Sequence, residues 1–238
     1  ELYEDIFNQK KIIEEQNRQL QKELCLARKI QENQIPRKNP VSSAVEFFSI
    51  YQPMEEVGGD FYDFVRVREP NLSGVFISDV SGHGVPAALI TAMIKTLLET
   101  SGESKIHPAR LLAYINEKIS GQTGGNFLTA FYGIFNHDSG IFTYARGAHE
   151  YPLLLRQGQV TPLESRGKML GVHEDLQFEE CQIALVPGDK ILFFTDGLTE
   201  AVKHGSEESF EEQLSLSLIR CSELSIKDFV KSVYQDLK

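Results

Sequence analysis

Two apolar runs, far apart in the chain, each end by delivering an aspartate into a glycine-bearing turn. The first runs from Val75 through Phe76, Ile77 and Ser78 to Asp79, ahead of Gly82 and Gly84. The second runs from Ile191 through Leu192, Phe193, Phe194 and Thr195 to Asp196, with Gly197 next. A third aspartate, Asp60, follows Gly58-Gly59 and opens the stretch Phe61-Tyr-Asp-Phe-Val65. Short apolar runs bounded by turn signals read as buried strands. The pattern therefore demands a sheet whose strand ends present carboxylates beside glycines. Such a surface suits a hard cation, because Mg²⁺ and Mn²⁺ prefer oxygen ligands and a missing side chain leaves room for carbonyls and water. Taken singly, an Asp before Gly is more often a turn residue bonding nearby backbone N–H groups.

With 238 residues, 41% of them hydrophobic, the chain can bury one good-sized core and carry an appendage. A net charge of −10 argues against a nucleic-acid-binding surface. Cys25, Cys181 and Cys221 follow no metal or redox spacing, and the sixth position after each is Gln31, Pro187 and Lys227 rather than Arg. A cysteine-nucleophile phosphate loop is therefore absent. Unpatterned cysteines fit a reducing cytoplasm. No stretch has the apolar length of a membrane span, and no signal peptide is visible. Because the chain opens on Glu1 rather than Met, the expectation is a fragment, cytoplasmic and open to being part of a membrane-anchored sensor.

Residues 1–35 are largely polar and contain neither Gly nor Pro, which predicts one long helix. Ile6, Ile13, Leu20 and Ala27 recur at a heptad interval, while the companion positions Leu2, Gln9, Gln16, Glu23 and Ile30 are apolar only at the ends. That describes either a soft dimerising coiled coil or a solvated helix packed on its own domain. Pro36 and Pro40 end it, so the division expected is a helical linker over 1–35 and a domain over 41–238. In that domain, strands are expected at 45–51, 61–67, 75–77, 127–135, 141–146, 153–156, 178–185 and 191–195. Helices are expected at 85–101, opening with Pro86, at 109–119 after Pro108, at 210–221, and at 226–237 capped by Ser225. Strands clustered around helices rather than alternating with them indicate an α+β layered domain.

The three acidic segments also carry a family resemblance. Val57-Gly-Gly-Asp-Phe-Tyr-Asp63, Ser78-Asp-Val-Ser-Gly-His-Gly-Val-Pro-Ala-Ala88 and Phe194-Thr-Asp-Gly-Leu-Thr-Glu-Ala201 resemble the motifs of metal-dependent serine/threonine phosphatases. The branch they resemble is the bacterial SpoIIE/RsbU type of the protein phosphatase 2C-like (PPM) superfamily, in motif order and spacing from about Ile30 onward. The resemblance implies a two-sheet antiparallel β-sandwich flanked by helices. It implies two Mn²⁺ or Mg²⁺ ions, with Asp60 bridging, Asp79 and Asp196 on the flanks, and the Val80 carbonyl at a further position. Water activated by metal would attack phosphorus directly, with no protein nucleophile. Asp63, His83 and Gly197 are secondary candidates: Asp63 as a supporting or structural residue, and His83 as a proton donor or a turn residue. His149 stands where the family has an Asn-Ala-Gly-His turn, and a core-facing role is expected of it. Leu26-Ala-Arg-Lys-Ile-Gln31 resembles the helical linker that precedes this branch.

By that resemblance the substrate is a phosphorylated anti-anti-sigma (STAS-type) signalling partner, and the N-terminal helix forms a homodimer under an upstream sensor. Two departures matter. The family's final strand, with its Asp-Asp-x-Thr, has no counterpart before Lys238, and Val202-Lys-His-Gly-Ser-Glu-Glu-Ser209 replaces the usual Gly-Glu-Glu-Phe-Gly run. The alternative expectation is a phosphatase-like binding module that dimerises without turnover. A metallohydrolase of small phosphoesters is a third.

Overall fold

The computed structural model describes residues 2–40, 42, 44–53, 56–200 and 210–236. Helix α1, Leu2–Glu32, is followed by β1 (Phe61–Val65), β2 (Leu72–Val80), α2 (Val85–Thr100), a 3₁₀ turn and α3 (Pro108–Ile119). Then come β3 (Leu128–Asn136), β4 (Ile141–Gly147), β5 (Leu153–Arg156), β6 (Gln159–Pro162), β7 (Glu180–Ala184) and β8 (Lys190–Leu192). Short α4 (Gly197–Glu200), α5 (Phe210–Arg220) and α6 (Ile226–Asp236) complete the order. The strands form a five-stranded sheet, β1-β2-β3-β4-β7, and a three-stranded sheet, β6-β5-β8, with every paired strand antiparallel.

Three apolar clusters order the layers. On α2 the residues Ala87, Ile90, Ile94 and Leu98 recur at helical spacing, and on α3 so do Leu111, Leu112, Ile115 and Ile119. Both stripes meet Phe61, Phe76, Val80 and Tyr132 on one face of the large sheet. The opposite face contributes Ile77, Phe131, Phe142 and Tyr144, which meet Leu154 and Leu163 from the small-sheet side. Leu155 and Leu192, on the small sheet's other face, pack against Leu214 and Leu218 of α5 and Phe229 and Val233 of α6. Each fully buried side chain of this size contributes about 1.5–3 kcal/mol. The result is helices, sheet, sheet, helices: the flanked antiparallel β-sandwich expected from the motifs.

Some expected elements shift. Residues 45–51 form no strand, although they run beside the edge strand β1. Their side chains take the contact instead: Phe47 packs on Phe64 at 5.0 Å, and the Ser49 and Tyr62 hydroxyls lie 2.8 Å apart. β6 was not expected, because its Pro162 reads as a strand breaker; at a sheet edge that proline loses no ladder bond. β2 runs longer than its apolar run because it is paired on both sides, and β8 stops at Leu192, short of Thr195. At the C-terminal end Ser225 caps α6 as expected: its Oγ accepts from the Asp228 N–H at 3.2 Å and donates to the Asp228 carboxylate at 2.7 Å. The segment 202–209 lies outside the described residues. No helix of the described residues is long and apolar enough to cross a membrane.

Candidate metal centre

Asp79 is the penultimate residue of β2, and the pleat decides where it points. Phe76 and Val80 enter the cluster beneath α2 and α3, so Val75, Ile77 and Asp79 take the opposite face, toward the second sheet. Asp60 stands one residue ahead of β1, in alternation with Tyr62. The Val80 N–H donates to the Gly59 carbonyl at 3.2 Å, which ties the two strand ends together. Glycine is required there: a Cβ on Gly59 would lie 2.4 Å from the Val80 carbonyl oxygen and 3.1 Å from Asp79 Oδ1. Asp196 follows β8 and immediately precedes α4, whose first residue is Gly197. A Cβ on Gly197 would come 3.8 Å from Asp60 Oδ2, so the Asp196-Gly197 turn faces the Gly58-Gly59-Asp60 segment.

The donor chemistry fits a hard divalent cation. Asp60, Asp79 and the Val80 carbonyl offer only oxygens, around a glycine that leaves them space. The gathering is pairwise: among the described residues no group of three or more His, Cys, Asp or Glu side chains is disposed to hold a metal ion. Gly197, next to Asp196 in the chain, lies beside Asp60, while Asp196 itself is exposed.

The secondary candidates separate. Asp63 lies on the α2 side of β1, buried, and Lys95 of α2 donates to it at 2.7 Å. Lys95 also meets Glu99 at 3.0 Å, so Asp63 belongs to a link between β1 and α2 and not to the acidic centre. His83 is exposed in the loop between β2 and α2. His149 is buried, 2% exposed, as expected of a core-facing residue. Its Nδ1 lies 2.8 Å from the Thr129 hydroxyl. Burial, helped by the Arg146 charge, lowers its pKa to about 4, against an opposing influence of the Phe194 main chain.

Three residues around the centre were not foreseen. Tyr51 donates to the Asp60 main-chain carbonyl at 3.3 Å, and burial together with the Asp60 charge pushes its pKa up to about 12, keeping it a neutral donor. Gln31, at the end of α1 and 5% exposed, grips Gly58 from both sides. Its Nε2 donates to the Gly58 carbonyl at 2.7 Å, its Oε1 accepts from the Gly58 N–H at 3.1 Å, and Nε2 also meets Thr91 Oγ1 of α2 at 3.1 Å. Thr129 is the third, directly opposite Asp79 in the β2–β3 register. A glutamine in a polar helix and a threonine in a strand carry no local signal of such roles; only the pairing register reveals them.

Comparison with known proteins gives these shapes a context. The family model for Stage II sporulation protein E (SpoIIE) matches residues 70–238. The chain is 32% identical over 223 residues to the phosphoserine phosphatase RsbU of Bacillus subtilis (strain 168), covering 92% of this chain and 65% of RsbU. It thus spans slightly under two thirds of that relative. Among solved structures, the SiaA-PP2C domain of Pseudomonas aeruginosa superimposes with a TM-score of 0.76 at 18% identity, covering 93% of this chain and 90% of that one. The RsbU and RsbW domains of Rv1364c from Mycobacterium tuberculosis give 0.62 at 23% identity, covering 82% of this chain and 51% of that one.

Proposed function

The chain belongs to the SpoIIE family, and on that premise we propose that it is a metal-dependent protein serine/threonine phosphatase, the output domain of a signalling protein. The observation that carries this reading is the Gly59 cradle, which turns the Asp79 carboxylate and the Val80 carbonyl toward the segment bearing Asp60. Asp60 would bridge two ions, with Asp79 and the Val80 carbonyl on one and Asp196 on the other. Mn²⁺ or Mg²⁺ bound there supplies charge neutralisation and a water acidic enough to act as hydroxide near neutral pH. The residues themselves set the requirement: three carboxylates repel a doubly charged phosphoester, so the pocket accepts this substrate only when cations are held. No side chain is needed as nucleophile, and none of the cysteines is available as one: Cys25 lies on α1, Cys181 in β7 and Cys221 just beyond α5.

The substrate in this reading is a phosphoserine or phosphothreonine on a STAS-type partner, in a cytoplasmic pathway. The name of RsbU, a phosphoserine phosphatase, supports the chemistry, and the pairing of RsbU with RsbW domains in Rv1364c supports a partner-switching context. The helix α1 would dimerise and carry a signal from an upstream sensor, reaching the acidic centre through the grip of Gln31 on Gly58 and Thr91.

A second reading, a binding module without turnover, is favoured by one observation: no third carboxylate closes on the pair among the described residues. Phosphate release from a phosphorylated STAS-domain protein, measured with and without Mn²⁺, separates the two. The enzyme gives Mn²⁺-dependent release that Asp79→Asn lowers by roughly 10³-fold. Stable complex formation with no release, at any Mn²⁺ concentration, establishes the module instead.

A further inference from the structure

Thr129 and His149 form a partly buried pair beside the strand end that carries Asp79. Thr129 is the β3 residue paired with Asp79 of β2, and shares its face of the sheet, since Phe131 two residues on belongs to the inter-sheet cluster. The Thr129 hydroxyl lies 2.8 Å from His149 Nδ1. His149 Nε2 is shielded from solvent and makes no hydrogen bond of normal geometry within the protein.

The turn that carries His149 is built at a cost. Ala148 adopts φ +55°, a left-handed conformation that a residue with a Cβ rarely takes and that costs of order 1 kcal/mol. The surroundings enforce it: the Ala148 N–H donates to the Gly167 carbonyl at 3.1 Å, Ala148 bridges to Ala130 beside Thr129, and Arg146 Nε donates to the His149 carbonyl. The effect of that conformation is to turn the imidazole inward, to a position between the two sheets.

We propose that His149 is a positioning residue for the metal site, holding through Thr129 the strand position opposite Asp79. The inference rests on the reading of Asp60, Asp79 and Asp196 as ligands. A neutral imidazole suits the task, because its Nδ1 can donate to or accept from the Thr129 hydroxyl. Groups that orient ligands in this way affect metal affinity by roughly 10- to 100-fold when removed.

The test is Mn²⁺ binding followed by the loss of the free-ion electron paramagnetic resonance signal, with the thermal midpoint of the metal-free protein measured in parallel. Thr129→Val, which removes the hydroxyl at nearly constant volume, and His149→Phe, which keeps a ring but removes both nitrogens, should each weaken Mn²⁺ binding by about tenfold or more. Thr129→Ser should restore it to within about twofold, and Thr129→Val combined with His149→Phe should cost no more than the worse single change, since both break the one Thr129–His149 bond. Asp79→Asn is the reference. If Asp79→Asn loses Mn²⁺ while Thr129→Val and His149→Phe bind like wild type, even with lowered thermal midpoints, His149 is merely structural and the inference is overturned. If Mn²⁺ binding ignores Asp79→Asn as well, the ligand assignment itself is wrong and the inference falls with it.

Discussion

At Gly59 the difference between a metal site and a closed turn is one carbon atom. A methyl there would press on a carbonyl fixed in the β-ladder rather than on a side chain that can rotate away. Gly59→Ala should therefore cost about 1–3 kcal/mol of stability and abolish measurable Mn²⁺ binding, as read by urea unfolding and calorimetric titration. His149 gives a pH signature of its own. The ring is neutral in the folded chain down to about pH 4, whereas an unfolded histidine protonates near pH 6.5. Between those values the unfolded state takes up a proton that the folded state refuses, so stability falls as pH is lowered across that window and levels off beneath it. The full effect is on the order of 3 kcal/mol. Urea midpoints measured from pH 7.5 to 4 should show it, and His149→Asn should flatten the profile in that range.

Among the elements, α1 and α3 show how single polar residues fix larger pieces. Asn116 is fully buried on α3, and its amide donates to the carbonyls of His173 and Glu174 at 2.8 and 2.7 Å while accepting from the Gly171 N–H at 2.9 Å. Asn116→Ala strands those groups and should cost about 1–3 kcal/mol in chemical unfolding. Gln31 does the same for α1. Most of the helix projects from the domain, and Gln31 is its only buried residue. Gln31→Ala should cost a similar amount and loosen the approach of α1 to the Gly58-Gly59-Asp60 segment, seen as faster amide exchange at Gly58 and Gly59. The elements themselves were largely legible from the sequence, because strand runs such as that at 75–77 and helix starts such as Pro86 and Pro108 carry local signals. Residues 45–51 misled because an apolar alternation records side-chain burial, which those residues achieve against β1 without backbone pairing. β6 escaped because a proline at a sheet edge looks the same, in sequence, as a proline in a turn.

On the scale of the whole molecule, the motifs told which aspartates to watch, while their mutual placement depended on two sheets meeting face to face. Asp60, Asp79 and Asp196 could be read as strand-end residues; Thr129, His149, Tyr51 and Gln31 could not, since their roles arise only from register and packing. The same scale holds the question of assembly. Ile6, Ile13 and Leu20 are each more than half exposed on α1, a heptad stripe with no partner in its own domain. A second copy of the chain would cover it. Sedimentation velocity should find a dimer that becomes a monomer when residues 2–24 are removed, with the remaining domain unfolding at a thermal midpoint within a few degrees of the intact chain.

The most direct test of the metal assignment is anomalous diffraction at the manganese edge from crystals soaked in Mn²⁺. The expected result is a peak with the Asp60 and Asp79 carboxylates and the Val80 carbonyl about 2.0–2.3 Å away, and a second ion shared between Asp60 and Asp196. Manganese bound elsewhere, with the Asp60 and Asp79 oxygens left out of its coordination, would contradict it.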